Sequence, residues 1–260
     1  MKAFIHAALA AVLAQNAFAE VAVDIRGICD NRTTGNAGNG HENALEVSLM
    51  LSGPELIVAK GLRIVLKTAT DDTGKALLQR SDGFEGRDGF EELHPAPGRK
   101  QPDEFCTRLL FENPPRAAKM VKVIEGSIEL NIPARDSAAV VTAGVTGNVG
   151  KPLENAGLKA AGVQFSILKP DTRQVAKGDT LTYEFVDPAN KMTAVVFCDV
   201  TGNELKSQVS STGWGSPDGR KNVTVQFSGN LATDAVVKIY LVTEKSLLTV
   251  PFVLKDIALP

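Results

Sequence analysis

The chain has 260 residues, with 28 Lys and Arg against 30 Asp and Glu, a formal net charge of −2 and an apolar fraction of 43%. That length suits one large or two ordinary domains with real hydrophobic cores. So weak a charge argues against nucleic-acid or anionic-membrane binding driven by bulk electrostatics.

Met1 to Ala19 reads as an export signal. Lys2 precedes an apolar run from Ala7 to Leu13, and Ala17-Phe18-Ala19 offers a small-x-small cleavage pattern before Glu20. The run is short of the ~20 residues that span a bilayer, and no later stretch supplies that length. The expectation is an exported protein, periplasmic or secreted, with no transmembrane segment in the mature chain. An oxidising compartment permits a disulfide, and Cys29 and Cys106 are the expected pair, both beside polar loop sequence in the N-terminal half. Such a bridge would add about 4 kcal/mol through loop entropy. Cys198 ends the apolar run Ala194-Val195-Val196-Phe197 and reads as a buried free thiol.

Between these landmarks the residues alternate. Leu45, Val47, Leu49 and Leu51 interleave with Glu46, Ser48, Met50 and Ser52, the pattern of a strand with one buried face. The same period recurs through Leu62, Ile64 and Leu66, through Leu181, Tyr183 and Phe185, and through Val223, Val225 and Phe227. Gly, Pro, Asn and Asp punctuate these runs, which predicts antiparallel sheet. Ala138 to Val145 is apolar enough to pair as a strand, and a turn or two of helix is expected over Asn155 to Ala161, capped by Asn155 and stopped by Gly162.

A faint internal repeat organises the whole. Asp71-Asp72-Thr73-Gly74-Lys75-Ala76-Leu77 matches Asp199-Val200-Thr201-Gly202-Asn203-Glu204-Leu205, and Val58-Ala59-Lys60-Gly61 recurs as Val175-Ala176-Lys177-Gly178. Phe111 with Val121-Lys122-Val123 aligns with Phe227 and Val237-Lys238-Ile239. The expected fold is all-β: a cleaved signal peptide over 1–19, a first immunoglobulin-like antiparallel β-sandwich module over 20–136, a linker or shared strand over 137–157, and a second such module over 158–260. The likeness to immunoglobulin-like sandwiches rests on strand spacing, because the Cys-Trp-Cys hallmark is missing.

Candidate chemistry sits in loops. The stretch from Gln79 to Phe105 carries the doublet Asp82-Gly83-Phe84-Glu85 and Asp88-Gly89-Phe90-Glu91 and then three prolines, a length that in compact domains goes with function. Phe84, Phe90 and His94 are candidate ligand contacts there. Asp71, Asp72, Asp82, Glu85, Asp88 and Glu91 offer hard oxygens for calcium, although neither stretch follows the twelve-residue calcium-loop pattern. Trp214 stands among Thr212, Gly213, Gly215 and Ser216, small neighbours that would leave an indole face open to a sugar ring. His41 and His94 are the two histidines after the signal, and neither lies in a metal or Ser-His-Asp frame.

No cofactor is implied beyond calcium, and no catalytic constellation emerges. The leading expectation is a non-catalytic interaction or structural protein of the cell envelope, presenting loops to another envelope or extracellular protein. A carbohydrate- or calcium-dependent binding module and a hydrolase built on Asp82, Glu91 or Asp103 are the alternatives.

Overall fold

Period-two sequence builds a nearly all-β structure. The computed structural model describes residues 21–32, 43–80, 89–93, 102–169, 180–213 and 219–260. Six strands come first: β1 (Ala22–Arg32), β2 (Asn43–Ser52), β3 (Gly61–Asp71), β4 (Glu91–Glu92), β5 (Glu104–Phe111) and β6 (Met120–Asn131), with one helical turn, α1 (Glu55–Val58), after Pro54. Then follow β7 (Val140–Gly144), β8 (Lys151–Pro152), α2 (Ala156–Ala161), β9 (Gln164–Ile167), β10 (Thr180–Val186), β11 (Met192–Cys198), β12 (Ser207–Gly213), β13 (Lys221–Phe227), β14 (Val236–Leu241) and β15 (Leu247–Ala258). The expected helix is α2: Asn155 Oδ1 accepts from Gly157 N at 2.7 Å, and Gly162 ends it at φ 73°.

Four antiparallel sheets enclose two cores, in sandwich-like fashion. In the first core the inward residues of β2, Leu45, Val47, Leu49 and Leu51, are all fully buried, and they face Ile124, Ile128 and Leu130 of β6. The sheet orders there are β1-β2-β5 and β15-β6-β3-β4. The second core lies between β12-β13-β10-β9-β8 and β11-β14-β7. Its centre is aromatic: Phe165 stacks on Tyr183 at 5.1 Å between ring centroids, and Phe197 meets Phe227 edge-on at 5.3 Å. Burial pushes the Tyr183 hydroxyl well above its ordinary range, so it stays neutral.

The final strand lies in the first core. Residues 158–260, read from the sequence as one module, end in β15, which pairs with β6 along its length, from Leu247 opposite Asn131 to Ala258 opposite Met120. Its Leu248, Phe252 and Ile257 are buried in the first core. Conversely β7, from the expected linker, pairs with β14 and puts Val141 into the second core. The reason is nonlocal: a strand's alternation states that one face is buried, but not against which partner.

The chain crosses between the cores twice, at residues 132–139 and 242–246, and the crossings bind one another. Ile132 N donates to Ser246 O at 2.7 Å and Thr243 Oγ1 donates to Asp136 Oδ2 at 2.7 Å; beside them Asn131 Nδ2, at the end of β6, donates to Thr193 Oγ1 of β11 at 2.8 Å. Asn131, Thr193 and Ser246 are buried polar residues. At this seam Gly61 is required by packing, since a Cβ there would sit 2.8 Å from Thr193 Cβ.

The two Asp-x-Thr-Gly segments fold into the same turn. Asp71 Oδ1 accepts from Thr73 N, Thr73 Oγ1 and Lys75 N, and Asp199 Oδ1 accepts from Thr201 N, Thr201 Oγ1 and Asn203 N. Gly74 and Gly202 take φ 83° and 87°. Burial raises the Asp71 carboxyl, but the bonds from Thr73 and Lys75 outweigh it and hold the group below its usual 3.8; at Asp199 the Thr201 hydroxyl leads the same lowering. A carboxyl lowered in the folded state contributes stability above its unfolded pKa and loses it as pH falls through the folded value. We therefore expect stability to decline below about pH 4. Asp199→Asn, which keeps a turn acceptor without the charge, should make that decline shallower in urea titrations taken from pH 5 to 2. Gly61→Ala should destabilise by about 1–3 kcal/mol in the same titration at neutral pH.

Candidate functional site

Because Leu45, Val47, Leu49 and Leu51 point inward, Glu46, Ser48 and Met50 must point out of the β1-β2-β5 sheet. Strand register brings polar neighbours beside them: Ser48 lies opposite Gly27 and Arg108, and Met50 opposite Asp24 and Cys106. A bulge in β1 between Ile25 and Gly27 re-aims Arg26 over this face. The result is a shallow depression of about 550 Å³ lined by Arg26, Glu46, Ser48, Glu91, Cys106 and Arg108, with Gly27 and Thr107.

Both charge signs meet in it. Arg26 Nη1 donates to Cys106 Sγ at 2.6 Å, Met50 Sδ lies 3.7 Å from the same sulfur, and Ser48 Oγ donates to Glu46 Oε1 at 3.2 Å. Arg108 Nη1 stands 3.7 Å from Glu46 Oε2, at the loose end of ion pairing. Glu91 reaches the rim from β4, whose two residues pair with Gly61 and Leu62 of β3. Phe90 beside it carries the Arg63 guanidinium over its ring at 4.7 Å, and Arg63 in turn donates to Glu129. Mixed charge on an open sheet face suits polar macromolecular contact, since fork-shaped guanidiniums and carboxylates can pair with a partner's backbone and side chains.

The expected Cys29–Cys106 disulfide is absent, and both are exposed free thiols. Register forbids the bridge. Cys29 lies opposite Glu46 and Cys106 opposite Met50, on strands flanking β2. That places them four residues out of register, about 13 Å along the strand direction, plus two strand spacings of about 4.8 Å each. Bridged Cα atoms lie within about 7 Å. Cys198 is buried and free as expected; burial pushes its thiol up, against the pull of Lys238.

Of the other sequence candidates, Asp71, Asp72, Phe90 and Glu91 lie among the described residues. Asp82, Phe84, Glu85, Asp88, His94 and Trp214, like His41, lie outside the described residues. Asp71 is buried with Oδ1 occupied by turn donors, and Asp72 accepts from Lys119 N at 3.1 Å. Glu91 sits opposite Leu62, at the other end of β3 from Asp71, about 30 Å away at strand rise. Among the described residues no group of three or more His, Cys, Asp or Glu is placed to hold a metal ion. Sequence reasoning missed Arg26, Glu46, Ser48 and Arg108, because it looked for chemistry in loops. The available signal was the charged outward half of the alternation that marked β2.

No family model matches the chain, and no curated protein does. Among solved structures, the crystal structure of the conserved domain protein from Bacillus anthracis matches at 11% identity, over 90% of this chain and 87% of that one. The TM-score is 0.24, which supports no conclusion about fold or function.

Exposure predicts the thiol chemistry. Two cysteines should react with a thiol reagent in native buffer and the third only in denaturant. Intact mass should match the fully reduced chain, and a loss of two protons per molecule would instead mean a bridge.

Proposed function

We propose that this chain is an exported, non-catalytic interaction or structural protein of the cell envelope, made of two related immunoglobulin-like sandwiches, which uses the charged depression on β1-β2-β5 to hold another envelope or extracellular protein. The observation that carries the reading is the depression itself. Opposite charges stand on a rigid sheet face, with Glu91 of the long 79–105 connection at the rim. A rigid sheet holds such groups in place at little entropic cost on binding.

Strand order supports the duplication. β1-β2-β5 corresponds to β9-β10-β13, and β15-β6-β3 to β7-β14-β11. The Asp71 and Asp199 turns end β3 and β11, equivalent strands. Not every sequence match follows this frame. Val58–Gly61 leads into β3, whereas 175–178, outside the described residues, precedes β10, the counterpart of β2. The register is displaced too. Ala69 accepts from Leu77 N as Phe197 does from Leu205 N, and these pair with Ile124 and Val237, so Val121–Val123 and Val237–Ile239 are three residues out of structural step.

The test is capture from envelope extract on the intact chain beside Arg108→Glu and Glu46→Lys. A partner retained by the intact chain and reduced at least about tenfold by either reversal supports the reading. Retention unaffected by both reversals sinks it. A glycan that quenches Trp214 fluorescence would instead favour a carbohydrate-binding module. Export is checked separately: the secreted or periplasmic chain should begin at Glu20 by N-terminal sequencing.

A further inference from the structure

We propose that the first core is a strand acceptor and that its closing strand, β15, can be supplied by a second copy of this chain. The proposal rests on strand pairing and goes beyond the reading of the depression, so either can fail without the other.

Among the described residues β15 is an edge strand bonded to β6 alone, yet it buries Leu248, Phe252 and Ile257 in a core whose other buried members come from residues 21–132. It reaches that place through the turn Val242–Ser246. Thr243 N donates to Ser246 Oγ and Ser246 N donates to Thr243 Oγ1, at 2.9 and 3.1 Å, so the hinge is a tight local turn. The chain already makes the complementary move. β7 follows β6 in sequence but leaves the first core and closes the second, opposite β14. In a simple tandem arrangement β7 would close the first core and β15 the second. Each core instead takes its closing strand from across the seam.

A second copy could complete the same site with the same contacts. The pairing from Leu247 opposite Asn131 to Ala258 opposite Met120 would re-form between chains, as would the Lys122–Asp256 ion pair at 2.5 Å. Only the turn at 242–246 would change, from folded back to extended. Ile132–Ser246 would re-form between chains with β15, so the balance is between the turn's own bonds together with Thr243–Asp136 and the cost of association, and exchange depends on chain concentration. A hinge too short to fold back removes the monomeric alternative.

The test places one reactive cysteine on each paired strand. Glu125→Cys in β6 and Val253→Cys in β15 are Cα partners on the outer face, and Cys29→Ser with Cys106→Ser removes the exposed native thiols. After refolding from denaturant over a range of concentrations, a short bismaleimide joins the pair within one chain or between two. A chain carrying Val253→Cys without Glu125→Cys controls for surface encounter. We expect the ratio of covalent dimer to bridged monomer to rise about tenfold for a tenfold rise in concentration. Deleting residues 243–245 should make the dimer dominant. Bridged monomer alone at every concentration with the natural hinge overturns the proposal, whether or not the shortened chain folds.

Discussion

Everything else in this molecule depends on the seam where the chain passes between its cores. Asn131 closes β6, and its amide donates to Thr193 Oγ1 and, at 3.3 Å, to Leu241 O, joining the end of one core's strand to two strands of the other. Among the described residues its buried Oδ1 has no hydrogen-bond partner. The two donations fix which strands of the second core lie beside the end of β6. Close packing reinforces it: Gly61 lets β3 approach Thr193, and Lys60 lies over the Tyr240 ring at 5.6 Å. Two sandwiches joined by one linker could pivot. Two joined by a pair of mutually bonded crossings cannot do so without breaking Ile132–Ser246 and Thr243–Asp136.

That rigidity bears on the charged depression. Glu46, Cys106 and Arg108 stand on β2 and β5, whose Leu45, Val47, Leu49, Leu51, Leu109 and Phe111 are buried in the first core. Arg26 stands on β1, whose Val23 and Ile28 pack against that core half-buried; the core is closed by β15. The depression therefore inherits the stability of a strand more than a hundred residues away in sequence. A change at Phe252 would act on it through the core, not by contact.

Much of the local structure was legible in the residues. Asp-x-Thr-Gly at 71 and 199 makes its own turn because every bond it needs lies within four residues, and Asn155 with Gly162 bounds α2 for the same reason. The depression was not legible. Glu46 and Arg108 are ordinary outward residues until register sets them on neighbouring strands.

The sequence by itself therefore marked the strands of clearest alternation, β2, β3, β10 and β13, the faces they bury and the local turns at Asp71, Asp199 and α2, since these follow from side-chain period and from bonds that span a few residues. Tertiary structure decided the partners. Nothing in Leu247–Ala258 says that it will lie on β6 and not beside the second core, and nothing in the spacing of Cys29 and Cys106 says that β2 will hold them apart. Pairing is chosen by the fit of a whole buried face against distant residues. That fit exists only once both cores have formed and the two crossings have closed on each other.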